Sequence, residues 1–298
     1  MLQAIRAFFD ARDVLEVETP ALSQCANTDP FIESFEVKNQ SQARYLHTSP
    51  EYPMKRLLAA GSGDIYQISK VWRHGEVGKH HNPEFSLLEW YRTGFNYRQL
   101  IDEVNELLCL LFKLDKNNSL IISYQQLFLE KFGMNPHTVG HTDLVSCVEA
   151  NISGLDARQL DNQTLLDALL THCIEPDFAT DRLNFVIDYP ASQAALAALR
   201  TDQQLVVAMR FEVYLGQLEL GNGYQEETDY TRNRAILEKE NQQRALQQKM
   251  PVDIRFLEAI KAGMPPCSGV AIGLDRVLMK ITHKNRIDQV ISFPWDSA

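Results

Sequence analysis

The amino-acid sequence predicts an α+β protein in which an antiparallel sheet is flanked by helices. Three β-type runs follow one another at 184–188, 204–215 and 217–221. Strands in close succession, with few helices between them, are typical of antiparallel pairing. The apolar spacing of 97–111 predicts an amphipathic helix that can cover one face of such a sheet. The chain contains neither Gly-x-Gly-x-x-Gly nor Gly-x-x-x-x-Gly-Lys-Ser/Thr, so any nucleotide must be bound in another way.

The remaining elements follow from the same periodicities. Predicted helices cover 1–12, 51–60, 229–249 and 274–282, and predicted strands cover 14–20, 65–72, 85–91 and 269–272. From about 115 to 180 the pattern changes to short helical pieces broken by glycine and proline. We interpret this stretch as a helical insertion or subdomain within one catalytic domain that spans 1–298.

Composition and charge exclude several classes of protein. The chain has 298 residues, 45% of them hydrophobic, without an apolar run of membrane-spanning length or a signal peptide. Its five scattered cysteines form no Cys-x-x-Cys pair, which favours reduced thiols, and we expect a cytoplasmic protein without membrane contact. The net charge of −10 argues against broad contact with nucleic acid. Basic pairs such as Lys55-Arg56 are interpreted as solvated faces.

Two arginines occur where a phosphate would be favourable. Arg73 is predicted to lie on an otherwise apolar strand, where a guanidinium is costly unless it meets an anion or forms a structural ion pair. Arg276 ends the segment Gly269-Val270-Ala271-Ile272-Gly273-Leu274-Asp275-Arg276, a passage from strand to helix. Small residues there admit a ligand close to the backbone, and a helix N-terminus favours phosphate. Together the two arginines predict a site for a polyphosphate.

Glu212 and Glu219 form a candidate metal site. They lie on consecutive predicted strands joined through Gly216-Gln217, so a hairpin would place them side by side. Two facing carboxylates repel one another unless a proton or cation intervenes, and oxygen ligands suit magnesium. The alternative is one buried and one solvated glutamate.

Several segments resemble known families. Val17–Pro20, Arg73–Phe85 and Gly269–Arg276 are similar to motifs 1, 2 and 3 of class II aminoacyl-tRNA synthetases, and His81–Phe85 with Glu219–Tyr224 to the lysyl-tRNA synthetase branch. Thr48–Tyr52, Leu88–Arg92, Pro190–Ala194 and Cys267–Ala271 resemble the paralogue family that attaches (R)-β-lysine to translation elongation factor P. The resemblance covers the whole chain but begins at the motif 1 helix, without the anticodon-binding domain of lysyl-tRNA synthetases.

The resemblance implies a class II synthetase catalytic fold that uses ATP and Mg²⁺. The implied catalytic residues are Arg73, Arg276 and Glu219, and the implied metal ligands are Glu212 and Glu219. The implied ATP-binding residues are Arg73, His74, Gly75, His81, Asn82, Phe85, Glu219, Leu220, Gly273 and Arg276. The implied residues around the amino acid are Ser49, Pro50, Glu51, Glu89, Tyr91, Asn222, Glu226 and Ala271.

The resemblance also implies the substrates and partners. We expect activation of (R)-β-lysine, with α-lysine weaker, transfer to elongation factor P rather than tRNA, and a homodimer. One alternative is a truncated lysyl-tRNA synthetase. A second, an ammonia-dependent asparagine synthetase, is disfavoured because Glu51, Glu89 and Glu226 would repel aspartate. A third, a non-catalytic regulatory subunit, is disfavoured because the candidate arginines and carboxylates are all present.

Two positions depart from the lysyl-tRNA synthetase pattern. In motif 2, Gly75 stands where glutamate is usual and Glu76 follows it, so contacts there are expected from the backbone of His74 and Gly75. In motif 3, Ala271 replaces the usual glycine. One added methyl group at a pocket wall shifts a preference by about 1–3 kcal/mol, which helps to select an amine on the β-carbon.

Overall fold

The structure, a computed structural model, describes residues 1–39, 42–202, 204–245 and 249–298. Its helices are α1 (Leu2–Asp10), α2 (Glu51–Ala59), α3 (Tyr97–Phe112), α4 (Tyr124–Phe132), α5 (His141–Asn151), α6 (Asn162–Leu169), α7 (Tyr230–Gln243), α8 (Ile254–Gly263) and α9 (Leu274–Ile281). Its strands are β1 (Leu15–Glu16), β2 (Leu22–Ser23), β3 (Glu36–Asn39), β4 (Gln42–Leu46), β5 (Ile65–Trp72), β6 (Glu84–Thr93), β7 (Leu120–Ser123), β8 (Leu183–Pro190), β9 (Leu199–Asp202), β10 (Leu205–Leu215), β11 (Leu218–Gln225) and β12 (Cys267–Gly273). None of these described helices is long and apolar enough to cross a membrane.

The chain forms two compact units. The first unit comprises Met1–Leu100 and Glu226–Ala298, and the second unit comprises Ile101–Gln225. In the first unit, β1 lies parallel to β5, and β5, β6 and β12 follow in antiparallel order. A separate small sheet has the order β2-β4-β3.

Helix α1 covers one face of the first unit's sheet. Its residues Ile5, Phe8 and Phe9 are buried, as the i, i+3, i+4 spacing predicts. The Phe9 ring stacks on Tyr66 of β5 at 4.4 Å between centroids and meets Trp90 of β6 at 5.3 Å. Burying one such ring stabilises the fold by about 1.5–3 kcal/mol. Because side chains alternate along a strand, the polar residues between these aromatics face the other side of the sheet.

The second unit is a sheet in the order β11-β10-β8-β7, with β9 paired to β10. Only β7 and β8 are parallel among these pairs. Helices α4, α5 and α6 share one apolar cluster with β8 and β10, whose largest members are Tyr124, Phe128, Phe178, Tyr189 and Tyr214. The helical pieces predicted between 115 and 180 are therefore present, and β7 is an additional strand within that stretch.

Two predicted elements have different bounds in the structure. The strand predicted over 14–20 is confined to Leu15–Glu16, since only Val17 continues the pairing, by donating to Tyr66 O, and Pro20 has no N–H to offer. The helix predicted over 229–249 ends at Gln243, and 246–248 lie outside the described residues. Arg244 is extended rather than helical, with φ −71° and ψ 146°.

The side chain of Arg244 explains why the helix stops. Its Nε donates to Thr28 O at 2.9 Å, and its Nη2 donates to Asn27 O at 3.2 Å, to Ile32 O at 2.7 Å and to Asp29 O. A guanidinium presents several donors in one plane, so a single side chain can hold a loop by its backbone carbonyls. Arg244 is itself buried.

Replacing Arg244 by alanine should lower the free energy of unfolding by about 2–4 kcal/mol, because four backbone carbonyls, one of them in a buried contact and three in part-buried contacts, would lose their donor. Urea unfolding followed by circular dichroism measures the change. Arg234→Ala is the matched control, since Arg234 is exposed, pairs with Glu238 at 2.7 Å on the surface and should change stability by less than about 1 kcal/mol. Equal effects of the two substitutions would contradict a stabilising role for the hydrogen bonds of Arg244.

Candidate active site

Arg73 lies at the end of β5, one residue beyond the strand. The expectation that it lies within the strand is wrong, because β5 ends at Trp72. Its Nε lies 3.4 Å from Thr48 O, and its Nη1 lies 3.8 Å from Glu76 Oε1. The guanidinium carbon is 5.1 Å from the centroid of the Phe85 ring. These long contacts leave donors of the guanidinium available for an anion.

Arg276 and His81 meet beside the start of α9. Arg276 Nη2 lies 2.7 Å from His81 Nε2, and its Nε donates to His80 O at 3.3 Å. Burial lowers the pKa of His81, and the positive charges of Arg276 and Arg73 lower it further, although Glu76 opposes them. Both predicted phosphate-binding arginines therefore act on the same imidazole. Two guanidinium groups that act on one imidazole create a positive region that suits an anionic ligand.

Helix α9 begins directly after Gly273, which provides no side-chain cap. The first N–H groups of such a helix have no partner within it and carry a partial positive charge. Arg276 is the third residue of α9. The backbone and this side chain thus offer donors in the same place, as motif 3 predicts.

The motif 2 turn is held by Glu33. The backbone N–H of His74 donates to Glu33 O at 2.7 Å, and its ring Nδ1 lies 3.2 Å from Glu33 Oε2. Gly75 has φ +78°, a conformation that other residues adopt only with strain. The replacement of the usual glutamate by glycine therefore coincides with a left-handed turn.

Asn82 is buried, and both ends of its amide bind backbone. Its Nδ2 donates to Glu84 O at 2.6 Å, and its Oδ1 accepts from Trp295 N at 3.0 Å. The resemblance implies that Asn82 contacts ATP, and no motif in the sequence indicates this link to the C-terminal segment. The contact with ATP remains a prediction.

A buried lysine lies between two predicted substrate carboxylates. Lys55 Nζ is 2.7 Å from Glu51 Oε1 and 2.5 Å from Glu226 Oε2, and its side chain is fully buried. The interpretation of Lys55 as solvated is therefore wrong. Lys55 follows Glu51 by one turn of α2 and shares the buried face with Met54, which is the signal that would have revealed it. At the N-terminus of α2, Pro50 is the cap position, and Ser49 Oγ accepts from the backbone N–H of Glu51 at 3.3 Å.

Glu89 lies on the sheet face opposite α1. Register pairs it with Gln67 of β5 on one side and Ala271 of β12 on the other. Tyr91 OH donates to Glu89 Oε1 at 2.7 Å, whereas Glu89 Oε2 is buried without a hydrogen-bond partner. Gly269 lies two residues before Ala271 on β12, on the same face and opposite Tyr91. It has no room for a side chain, because a Cβ there would lie 2.4 Å from the Tyr91 ring.

Burial raises the pKa of two of these carboxyl groups. The pKa of Glu89 is raised to about 8 by burial and by Glu51, against the hydrogen bond from Tyr91. The pKa of Glu226 is also raised to about 8 by burial, although Lys55 opposes the shift. Burial lowers the pKa of Lys55, but the two carboxylates outweigh it and keep the ammonium charged. The cluster has more carboxyl groups than cations, which suits a ligand that brings ammonium groups.

The predicted metal ligands lie on the β10–β11 hairpin of the second unit. Glu212 pairs with Asn222, and Glu219 pairs with Tyr214, so all four side chains share one face. The register shifts at Leu220, which is the extra, buried residue of a bulge. The prediction that the hairpin places Glu212 and Glu219 on neighbouring strands is confirmed.

Glu212 already accepts three hydrogen bonds from protein groups. Arg210 Nη2 lies 2.5 Å from Oε1, and Oε2 accepts from Tyr189 OH at 2.7 Å and from Tyr214 OH. Among the described residues, no group of three His, Cys, Asp or Glu side chains is placed to hold a metal. Mg²⁺ needs fewer protein ligands, because it usually keeps waters and substrate phosphates in its shell. The two carboxylates of the hairpin suit that kind of site.

Comparison with known proteins agrees with this geometry. Residues 1–297 match the family model described as tRNA synthetases class II (D, K and N). The chain belongs to the class II tRNA synthetase family. The mixed, mostly antiparallel strand pairing with flanking helices confirms the predicted α+β synthetase fold.

Relatives of this synthetase-family chain carry a more specific name. It is 41% identical to the elongation factor P–(R)-β-lysine ligase of Hamiltonella defensa over all of this chain and 94% of the relative. The proteins of the same name from Pectobacterium carotovorum and Yersinia pestis are 40% and 41% identical, with the same coverage. The resemblance found in the sequence is thereby confirmed at the level of the family.

Replacing Glu89 by glutamine should remove part of the dependence of stability on pH. Because the folded-state pKa of Glu89 is raised from 4.5 to about 8, its neutral form contributes stability below about pH 4.5 that is lost as the pH rises through about 8. At roughly 1.4 kcal/mol per pKa unit, the free energy of unfolding of the wild type should fall by on the order of a few kcal/mol between about pH 4.5 and 8, relative to that of the variant.

Thermal unfolding of both proteins at a series of pH values between about 5 and 8, without ligands, measures this difference. Glu149→Gln is the control, because Glu149 is exposed and pairs only with the exposed Arg158 at 3.0 Å. A constant difference in Tm between wild type and Glu89→Gln across this range would show that Glu89 is ionised throughout.

Proposed function

We propose that this chain is an ATP-dependent ligase that joins (R)-β-lysine to a lysine of translation elongation factor P. The observation that carries the proposal lies on one face of the first unit's sheet. Arg73 and Phe85 lie at one end of that face. Glu89 lies on the same strand as Phe85 and on the same face, four residues further along. An anion-binding end beside a buried acidic end suits an amino acid whose carboxylate meets ATP while its amines meet carboxyl groups. The name of the relatives, elongation factor P–(R)-β-lysine ligase, supports the same substrate and acceptor.

In the first step, the carboxylate of the amino acid attacks the α-phosphorus of ATP. A bond forms between the carboxylate oxygen and phosphorus, the bond to the β-phosphate oxygen breaks, and pyrophosphate leaves. Arg73 holds the α-phosphate and the substrate carboxylate, and Arg276 with His81 holds the terminal phosphates. Glu212 and Glu219 would hold Mg²⁺, which would supply positive charge against the phosphates. Catalysis is then mainly positioning and charge stabilisation.

In the second step, the ε-amine of the acceptor lysine attacks the carbonyl carbon of the aminoacyl adenylate. The new carbon–nitrogen bond is an amide, the bond to the phosphate oxygen breaks, AMP leaves with the electron pair, and the amine gives its proton to water. No covalent intermediate with the enzyme is required, so neither buried cysteine nor serine needs to act as a nucleophile.

The acidic cluster determines which amino acid fits. Lys55 neutralises part of the charge of Glu51 and Glu226, so the remaining carboxyl capacity, including the unpartnered Oε2 of Glu89, is left for a substrate with two amines. Ala271 stands directly beside Glu89 in the register. Its methyl group narrows the pocket next to the carboxyl group, which favours the β-amine over the α-amine by about 1–3 kcal/mol.

The proposal includes a cytoplasmic homodimer that uses Mg²⁺ and does not charge tRNA. The second candidate is a tRNA-charging enzyme of the lysyl branch, which belongs to the same family of class II tRNA synthetases. The two functions share the adenylate step and differ only in the acceptor. An experiment must therefore offer both acceptors.

Purified protein with ATP, Mg²⁺ and (R)-β-lysine should increase the mass of unmodified elongation factor P by one lysyl unit, while bulk tRNA in a parallel reaction stays uncharged. Mass spectrometry of the factor and acid-gel analysis of the tRNA measure the two outcomes. With α-lysine, modification of the factor should be slower. Charged tRNA beside an unmodified factor would overturn the ligase in favour of the second candidate.

Arg73→Ala and Glu219→Ala should each reduce ATP–pyrophosphate exchange by roughly 10²–10³-fold, because each removes a group that stabilises charge in the transition state. The exchange assay isolates the first step from the acceptor. Arg158→Ala is the control, since Arg158 is exposed and pairs with Glu149 on the surface. Exchange at the wild-type rate in both active-site variants would refute these two roles.

A further inference from the structure

Arg210 of β10 is held on two sides. Its Nη2 lies 2.5 Å from Glu212 Oε1, while its Nη1 donates to the backbone carbonyl of Gln193 at 2.6 Å. Its guanidinium carbon lies 4.8 Å from the centroid of the Tyr189 ring. A planar guanidinium fixed at both ends cannot rotate without breaking a bond, so it fixes the carboxylate that it binds.

Gln193 connects this arginine to the helical insertion. It is buried, with 5% of its surface exposed, and its Nε2 donates to Asp167 Oδ1 at 2.6 Å. Asp167 belongs to α6, within the stretch 115–180 to which neither the sequence nor the proposed mechanism assigns a role. One residue therefore uses its side chain to bind α6 and its backbone carbonyl to bind Arg210.

The network contains more negative groups than positive ones. Asp167 and Glu212 lie within electrostatic range of each other, and Glu219 also acts on Arg210. Arg210 is the cation common to these three carboxyl groups. Of these four charged groups only Glu212 is buried. A surplus of carboxyl groups suits an added cation at the hairpin, and the set keeps a defined geometry only while each hydrogen bond is made.

We propose that Asp167 is a positioning residue for the nucleotide step: through Gln193 and Arg210 it fixes the Glu212 carboxylate in the orientation that receives Mg²⁺ with ATP. The helical insertion thereby supports the catalytic hairpin. The inference rests on the proposed function, in which Glu212 holds the metal. Partners that orient a metal ligand typically contribute 10–100-fold to metal affinity or activity.

The test compares Asp167→Ala with Asp167→Asn. Alanine removes the acceptor for Gln193 Nε2, whereas the Oδ1 of asparagine retains it. Calorimetric binding of a non-hydrolysable ATP analogue, with and without Mg²⁺, is the principal readout, and exchange activity at varied Mg²⁺ is the second. We expect Asp167→Ala to weaken the Mg²⁺-dependent part of nucleotide binding by about 10–100-fold, with Mg²⁺-free binding and the KM for the amino acid unchanged. Asp167→Asn should remain within a few-fold of the wild type.

Asp177→Ala is the matched control, because Asp177 is exposed and pairs with Lys131 at 2.6 Å in the same unit. If Asp167→Ala does not fold, Gln193→Leu removes the same donor at similar volume and should weaken Mg²⁺-dependent binding in the same way. A lowered Tm with wild-type Mg²⁺ dependence would overturn the proposal and leave Asp167 a structural residue. Glu219→Ala in the same assay distinguishes failure of this proposal from failure of the proposed metal site, since wild-type Mg²⁺ dependence in that variant would refute the metal site itself.

Discussion

The buried ammonium of Lys55 is the interaction on which the acidic side of the first unit depends. It binds Glu51 on its own helix and Glu226, whose backbone N–H in turn donates to Cys267 O at the start of β12. Without this cation, three carboxyl groups would repel one another in a buried place, and removing one partner of such a pair typically costs about 3–5 kcal/mol. A single lysine thus connects α2 to β12 and makes an acidic pocket compatible with a folded core.

The sheet itself sets the distance between the two chemical functions of this face. Phe85, beside Arg73, and Glu89 lie four residues apart on β6, which corresponds to about 13 Å along an extended strand. The neighbouring strand β12 contributes Gly269, Ala271 and Gly273 to the same face. The lack of a side chain at Gly269 leaves the space that the Tyr91 ring of β6 occupies. Because side chains alternate along a strand, Phe85, Glu89 and the small residues of β12 lie on one face of the sheet.

In each of the two units, one cationic side chain pairs with carboxylates that would otherwise repel their neighbours. In the first unit, Lys55 forms ion pairs with Glu51 and Glu226. In the second unit, Arg210 forms an ion pair with Glu212 and donates a hydrogen bond to the backbone carbonyl of Gln193. A buried cation shared between carboxyl groups contributes less to stability than an apolar core of equal volume would. It holds polar groups in a fixed geometry instead, which is what a site for charged substrates requires.

Local pattern in the sequence determined much of this protein. The periodicity of α1, the limits of β5 and the glycine-rich passage into α9 need only neighbouring residues, so these elements and the synthetase motifs were predictable. Only the tertiary structure decided that Lys55 is buried, that Asn82 binds the backbone near Trp295 and that Arg244 ends α7. Each of these depends on a partner far away in the chain, and a long side chain can either extend into solvent or pair with a distant group. The choice is made by the fold, because a local pattern carries no information on which distant carbonyl or carboxylate will be within reach.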